Sequence, residues 1–294
     1  MGQTLNAYKK SISKDGVLII DFANVAAGWQ QWILLSSDRH WDNPKSNQAL
    51  QRKHLDEMQE RAGLWIDNGD LFCAMQGSKD KRGSKSALRL EHQREDYFNA
   101  LTETATEFFA PYAHACLLLG RGNHETAIAK HNEIDLTRTL VNELNMSTGS
   151  SIHLGGYAGW IRFRFRAGKD GRRTVHSSNL FYHHGYGGAA PVTKGVIQTN
   201  RRAEYLPDAN IVISGHIHRH WYVPIVRERI NTQGSIYIDE QEHVSIPSYK
   251  DEWSGNNKMG WHVERGGGPT SVGAVWLRFY YEDNAVKTEF TRAR

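Results

Sequence analysis

Five short clusters of carboxylate, amide and imidazole side chains punctuate the chain. They are Asp38-Arg39-His40, Gly69-Asp70, Gly122-Asn123-His124-Glu125, His184-Gly185 and Gly215-His216-Ile217-His218. Aspartate, asparagine and histidine together suit borderline divalent cations such as Mn, Fe, Zn, Co or Ni. Oxygen-only sets suit Mg or Ca, and thiolate sets suit structural Zn. No Cys-x-x-Cys pair occurs, which excludes a zinc ribbon. In Asp38-x-His40 and His216-x-His218 a spacing of two predicts that both side chains share one side of an extended segment, so each pair points into one site. Glycine accompanies four of the five clusters, which permits tight turns there.

Each cluster follows a short apolar run. Trp32–Ser37 leads to Asp38, Leu64–Asp67 to Asp70, Ala113–Leu119 to Asn123, Leu180–Tyr182 to His184, and Ile211–Ser214 to His216. Such runs read as buried strands. Between the first three, Asn47–Gly63 and Leu88–Phe109 have helical composition. Strand–helix alternation predicts a mainly parallel sheet covered on both faces, and ligands of such sheets sit beyond the strands' carboxyl ends. Later, Ile161, Phe163 and Phe165 alternate with Arg162, Arg164 and Arg166 within Tyr157–Arg166, the pattern of a half-exposed strand. Val272–Tyr281 and Val286–Thr291 predict a closing hairpin around Glu282-Asp283-Asn284. The expected fold class is α/β, with two packed mixed β-sheets flanked by helices in a single domain over residues 1–294.

Several segments stay less defined. The basic stretch Lys79–Lys85 and the glycine-rich Arg265–Pro269 read as loops. The part after Tyr222, with Trp253 and Trp261, is expected to complete the second sheet and to shape a lid. Trp41 and Asp42 form either a packed loop or part of the pocket. Of His183 and His184, strand alternation lets only one face the site.

The chain has 294 residues, a formal charge of +4 and two cysteines, Cys73 and Cys116, both in apolar surroundings. A disulfide framework is therefore excluded, and a reducing compartment such as the cytoplasm is expected. The N-terminal residues lack the apolar run of a secretory signal, and no stretch has the ~20 apolar residues of a membrane helix. The charge is compatible with an anionic substrate but too small to define a nucleic-acid binder.

The ordered set D-x-H, GD, GNHE, H and GHxH resembles the calcineurin-like metallophosphoesterases over about residues 31–220. The resemblance implies a four-layer αββα sandwich and two divalent cations, with Mn expected and Fe, Zn, Ni or Co acceptable. Asp38, His40, Asp70 and His218 would hold the first. Asp70, Asn123, His184 and His216 would hold the second, with Asp70 shared and His184 favoured over His183. A hydroxide bridging the cations would attack the phosphate ester, His124 would protonate the leaving oxygen, and Arg121 would grip phosphate oxygens. The pattern departs from the family's GDxxD, because Cys73 stands at the second aspartate and Ala74 follows it. His124 therefore needs another orienting partner, and Asp67 and Glu125 are the candidates.

The departure weakens a protein-phosphatase assignment. The run SSDRHWDN…DNGDLFCAMQG is similar to phage and bacterial phosphoesterases. The expected activity is that of a phosphodiesterase or nuclease on nucleic acid or a nucleotide, in a bacterial or phage-infected cytoplasm. The alternatives are a phosphomonoesterase and a non-catalytic metal-binding module.

Overall fold

A computed structural model describes residues 5–75, 88–168, 174–188, 190, 192–254, 261–264 and 266–294. The basic stretch Lys79–Lys85, Arg265 of the glycine-rich loop and the side chain of Trp261 lie outside the described residues.

The chain begins with β1 (Tyr8–Ile12), β2 (Leu18–Val25) and β3 (Gln30–Ser36). Helix α1 (Gln48–Glu60) and strand β4 (Leu64–Asp67) follow. Next come α2 (Tyr97–Phe109), β5 (Cys116–Leu119), α3 (Asn123–Asn132) and α4 (Leu136–Thr148). The middle holds β6 (His153–Leu154), β7 (Ala158–Ala167), β8 (Thr174–His183), α5 (Ile197–Tyr205) and β9 (Ile211–Ser214). The chain closes with β10 (Trp221–Ile230), β11 (Ile236–Ser245), the short α6 (Trp261–Glu264), β12 (Ala274–Glu282) and β13 (Ala285–Ala293).

These strands form two mixed sheets. One has seven strands in the order β1-β2-β7-β8-β9-β11-β10, and the other has six in the order β13-β12-β3-β4-β5-β6. Strands β3 to β6 are parallel neighbours, and β8, β9 and β11 are parallel in the other sheet. The pleat explains the layering. Ile33 and Leu35, Leu64 and Ile66, and Val275, Leu277 and Phe279 face β7's Ile161, Phe163 and Phe165 in one inter-sheet core. The alternate residues Leu34, Trp65 and Trp276 join a second core beneath α1, α2 and α4. A smaller cluster of Phe181, Leu206, Ala209 and Val212 lies on the outer face of the seven-stranded sheet, where α5 ends. Each fully buried Leu, Ile or Phe contributes about 1.5–3 kcal/mol.

The α/β class, the two-sheet architecture and the closing hairpin agree with the sequence. Boundaries differ at two places. Leu88–Phe109 is not one helix: a 3-10 turn at Leu90–His92 precedes α2, which begins only at Tyr97. Ala113–Leu119 is strand only from Cys116, because Ala110–Ala115 is a 3-10 turn started by Pro111. The C-terminal part divides between the sheets, with β10–β11 extending the seven-stranded sheet and β12–β13 the six-stranded one. Arg164 and Arg166 of β7 both bind Asp21 of β2, at 2.7 and 2.6 Å, so their row is a surface ion-pair network. Among the described residues no helix is long and apolar enough to cross a membrane.

Candidate metal centre

The loops after β3, β4, β5, β8 and β9 meet at one place, and backbone hydrogen bonds join them there. Asp38 N–H donates to the Gly69 carbonyl (2.9 Å), His40 N–H to the Asp70 carbonyl (3.0 Å), and Gly215 N–H to the His184 carbonyl (2.7 Å). The Asp38 carbonyl accepts from Ser248 Oγ and Tyr249 N–H, far along the chain. The expected extended geometry of the two spaced pairs is not found. Strand β3 ends at Ser36 and β9 at Ser214. Asp38, His40, Asp70, His216 and His218 all have φ between 46° and 71°, in the left-handed region. These residues converge through turns, at a cost of about 1–3 kcal/mol each for a non-glycine residue held there.

Two groups of donors result. In the first, His218 Nε2 lies 3.1 Å from His40 Nε2 and 3.2 Å from Asp38 Oδ1. In the second, Asp70 Oδ2 lies 3.2 Å from His184 Nε2. Asn123 Oδ1 lies 3.2 Å from His184 Nε2 and 2.7 Å from His216 Nδ1. Asp38–His40–His218 and Asp70–His184–His216 are each compact enough to hold a cation. His184 is thus the member of the His183/His184 pair that reaches the cluster. Its Nδ1 meets the Asn68 carbonyl at 2.9 Å, which fixes the ring and leaves Nε2 inward. The ring of His183 turns elsewhere and accepts the Gly185 N–H.

The electrostatics fit cations here. Asp38 and Asp70 are buried, and their ion-pair partners among the described residues are imidazoles. Burial by itself would push both carboxyls up. His218 beside Asp38, and His184 and His124 beside Asp70, bring them below the usual carboxylate range instead. Burial opposes a charge on His184, yet the Asp70 and Asp38 carboxylates raise it to about 10. Burial and the neighbouring His218 and His124 lower His40 well below its ordinary value. Asp38 Oδ1 has no hydrogen-bond partner although it is buried. Buried carboxylates whose described ion-pair partners are imidazoles, with an orphaned oxygen facing ring nitrogens, are a donor set that suits borderline divalent cations.

His124 stands beside both groups. Its N–H donates to Asp70 Oδ1 (2.9 Å) and its Nε2 lies 3.7 Å from Asp70 Oδ2. Neither Asp67 nor Glu125 orients its ring. Its Nδ1 meets the backbone carbonyl of Cys73 at 2.6 Å, so the residue that replaces the expected aspartate supplies a main-chain acceptor. Asp67 is engaged with Arg39 and Ser36. Glu125 accepts the N–H groups of Asp70, Phe72 and Gly122. Burial and the Asp70 carboxylate push Glu125 up to about 8, against the pull of those donors. Arg121 directs its guanidinium to Asp135 and to the Gly155 carbonyl, and gripping a phosphate would require it to exchange these partners.

Arg39, Asp42 and Arg202 fill supporting roles that sequence reasoning does not assign to them, whereas Trp41 takes the packed-loop place that is one of its two readings. Arg39, inside the first motif, is fully buried and pairs with Asp67 at 2.7 Å. Asp42 accepts the N–H groups of Cys73 and Ala74 and the Tyr97 hydroxyl, which clamps the loop carrying Cys73. Trp41 packs on Phe108 and Phe109 and belongs to the core. Arg202 of α5 is buried, has an unpartnered Nε, and lines a small cavity with Gly185, Gly215 and Trp221. Glu125, by contrast, is named from the sequence, and it stands three positions after the glycine that opens α3, the usual place of an acidic cap partner.

No family model matches the chain, and no curated protein matches it. Among solved structures, it is similar to a predicted phosphoesterase from Streptococcus pneumoniae at 12% identity, covering 91% of this chain and 92% of that one, with a TM-score of 0.34. It is similar to Vps29 of Entamoeba histolytica, solved with Zn2+, at 10% identity, covering 90% and 99%, with a TM-score of 0.36. It is also similar to a putative 5'-nucleotidase from Staphylococcus aureus at 12% identity, covering 90% of this chain and 54% of that one, with a TM-score of 0.42.

Proposed function

We propose that the protein is a phosphoesterase using two divalent cations, with phosphodiesters of the nucleic-acid or nucleotide class as substrates. The observation that carries this reading is the meeting of two donor groups, Asp38–His40–His218 and Asp70–His184–His216, in one buried cluster whose carboxylates have imidazoles for partners. Asn123 stands between His184 and His216 and completes the second group. When bound, the cations supply Lewis-acid polarisation of the phosphoryl group and an ionised water near neutral pH.

The chain's own residues would do the rest. Asp70 accepts the His124 N–H on one oxygen and faces His184 with the other, so it ties the acid to the donor group. With Nδ1 committed to a carbonyl, Nε2 is the His124 nitrogen left to exchange a proton with the leaving oxygen. The diester preference is supported by Arg121, whose fork would suit the extra free oxygen of a monoester, being spent on Asp135 and Gly155.

The test loads purified protein with Mn and compares bis(p-nitrophenyl) phosphate, single-stranded DNA and p-nitrophenyl phosphate as substrates. Diester turnover that chelation abolishes is expected. Exclusive monoester turnover would transfer the protein to the phosphomonoesterases, and no turnover of any ester would remove the enzymatic reading.

A further inference from the structure

Cys73 stands where the resemblance asks for a carboxylate, and the fold brings its thiol to the site. Its Sγ and one ring nitrogen each of His40 and His124 lie within 4.8 Å of one another. Cys73 is 4% exposed and His40 2%, so water competes little for these atoms.

Two ring nitrogens stand ready as donors beside the sulfur. His40 keeps a buried ring nitrogen, Nδ1, with no partner. His124 Nδ1 meets a carbonyl, which only accepts, so the ring proton sits there and the lone pair is left on Nε2. Burial and the Asp42 carboxylate push the Cys73 thiol up to about 12, and Asn43 Nδ2 at 3.5 Å offsets this only in part, so a cation must displace the thiol proton.

His40 also belongs to the group with Asp38 and His218. One imidazole therefore borders two positions of different softness. The Asp38 side offers one oxygen and two nitrogens, and the Cys73 side offers one sulfur and two nitrogens. A mixed carboxylate–imidazole position accepts borderline cations, Mn among them, whereas a thiolate position selects the softer ones.

Resting on the two-cation reading above, the geometry points to His40, Cys73 and His124 as an inhibitory position for a thiophilic divalent cation, Zn2+ or Cd2+, whose binding withdraws His124 from proton transfer. Binding releases the thiol proton to solvent, and sulfur donates an electron pair without change of oxidation state. The same event competes for His40, so the inhibitor and the first catalytic cation exclude one another.

The test uses the full chain, reduced and stripped of metal, titrated with Cd2+ and followed by thiolate-to-cadmium charge-transfer absorption. Wild type and Cys116→Ser are expected to show the band at one equivalent, and Cys73→Ser is expected to lose it. Cys73 and Cys116 are the only cysteines, so the Cys116→Ser chain decides the matter even where Cys73→Ser fails to fold. Absence of the band there, or its persistence in a folded Cys73→Ser chain, overturns the proposal.

A second readout is Zn2+ inhibition of the Mn-loaded chain, scaled to each variant's own Mn activity. The half-inhibiting Zn2+ concentration should rise about tenfold or more in Cys73→Ser, given that even outer partners of ligands are worth roughly 10–100-fold. An unchanged value overturns the inhibitory role. Diester turnover with Mn but no cadmium band removes this inference alone, and a band without turnover of any ester removes the phosphoesterase reading alone.

Discussion

Replacing Arg39 with methionine separates the scaffold of the site from its chemistry. The Arg39 side chain is fully buried. Its Nε donates to Asp67 Oδ2 (2.7 Å), Nη1 to Gln51 Oε1 (3.1 Å) and Nη2 to Ser36 Oγ (2.9 Å). The guanidinium also lies 5.0–5.2 Å from the ring centres of Trp65, Phe109 and Tyr249. Methionine fills much of that volume but leaves Asp67 a buried carboxylate without its counter-charge. Burial already raises Asp67, and Arg39 is the largest influence holding it down. Breaking such a pair from one side costs ~3–5 kcal/mol, a large part of the roughly 5–15 kcal/mol that holds a domain together. The double variant Arg39→Met/Asp67→Asn removes both charges and should cost less than the two single changes summed, by about 1–3 kcal/mol. Urea unfolding of metal-free protein, followed by tryptophan fluorescence, measures all three variants. Arg39 lies between Asp38 and His40, so Arg39→Met should also weaken Mn binding. A single-variant cost below about 1 kcal/mol, or additivity within about 0.5 kcal/mol, would show that the pair does not brace the motif.

Three other outcomes are expected. A Cβ built on Gly122 would lie 2.0 Å from Asp70 Oδ1 and 2.5 Å from Asp70 N, so Gly122→Ala should displace the carboxylate. It should cut turnover about 100-fold or more and reduce the bound Mn measured by elemental analysis; full metal content would count against the placement of Asp70. His124→Asn should slow turnover by about 10²–10⁴-fold while metal content stays at the wild-type level, and parallel loss of metal would make His124 a ligand. His54 and His243 are buried and lowered to about 4, by burial first and then by nearby arginines, chiefly Arg39 and Arg202 respectively. The unfolded chain protonates them near their ordinary 6.5, so their stabilisation is complete above that pH and is lost as pH falls towards about 4. Between about pH 7.5 and about pH 5 the loss is about 2 kcal/mol per histidine. Urea midpoints at the two pH values test this, and a pH-independent midpoint refutes it.

The parts of the fold that were legible are those where local pattern and burial agree. WILLSS, LWID and IVIS are short apolar runs closed by polar residues, and each is a buried strand. The β10–β11 hairpin was not legible, because its exposed face carries Val226, Ile230, Ile236 and Ile238, which blurs the apolar/polar alternation that marks a strand. The start of α2 was misread because Leu88 to Asp96 has helix-forming residues, whereas a 3-10 turn and a bend bring the chain into the helix.

The sequence by itself determined the inventory: which donors exist, their order, and the strand ends they follow. Those are local properties, written in residue type and in short-range periodicity. Tertiary structure decided how the donors are aimed. The left-handed turns at Asp38, His40, Asp70, His216 and His218 are held by hydrogen bonds between loops far apart in sequence. The partner of His124 is a main-chain carbonyl, which every residue possesses and no residue type announces. Arg39 turns inward to Asp67 while its two neighbours turn to the site, and only the packing of two distant strands makes that direction favourable.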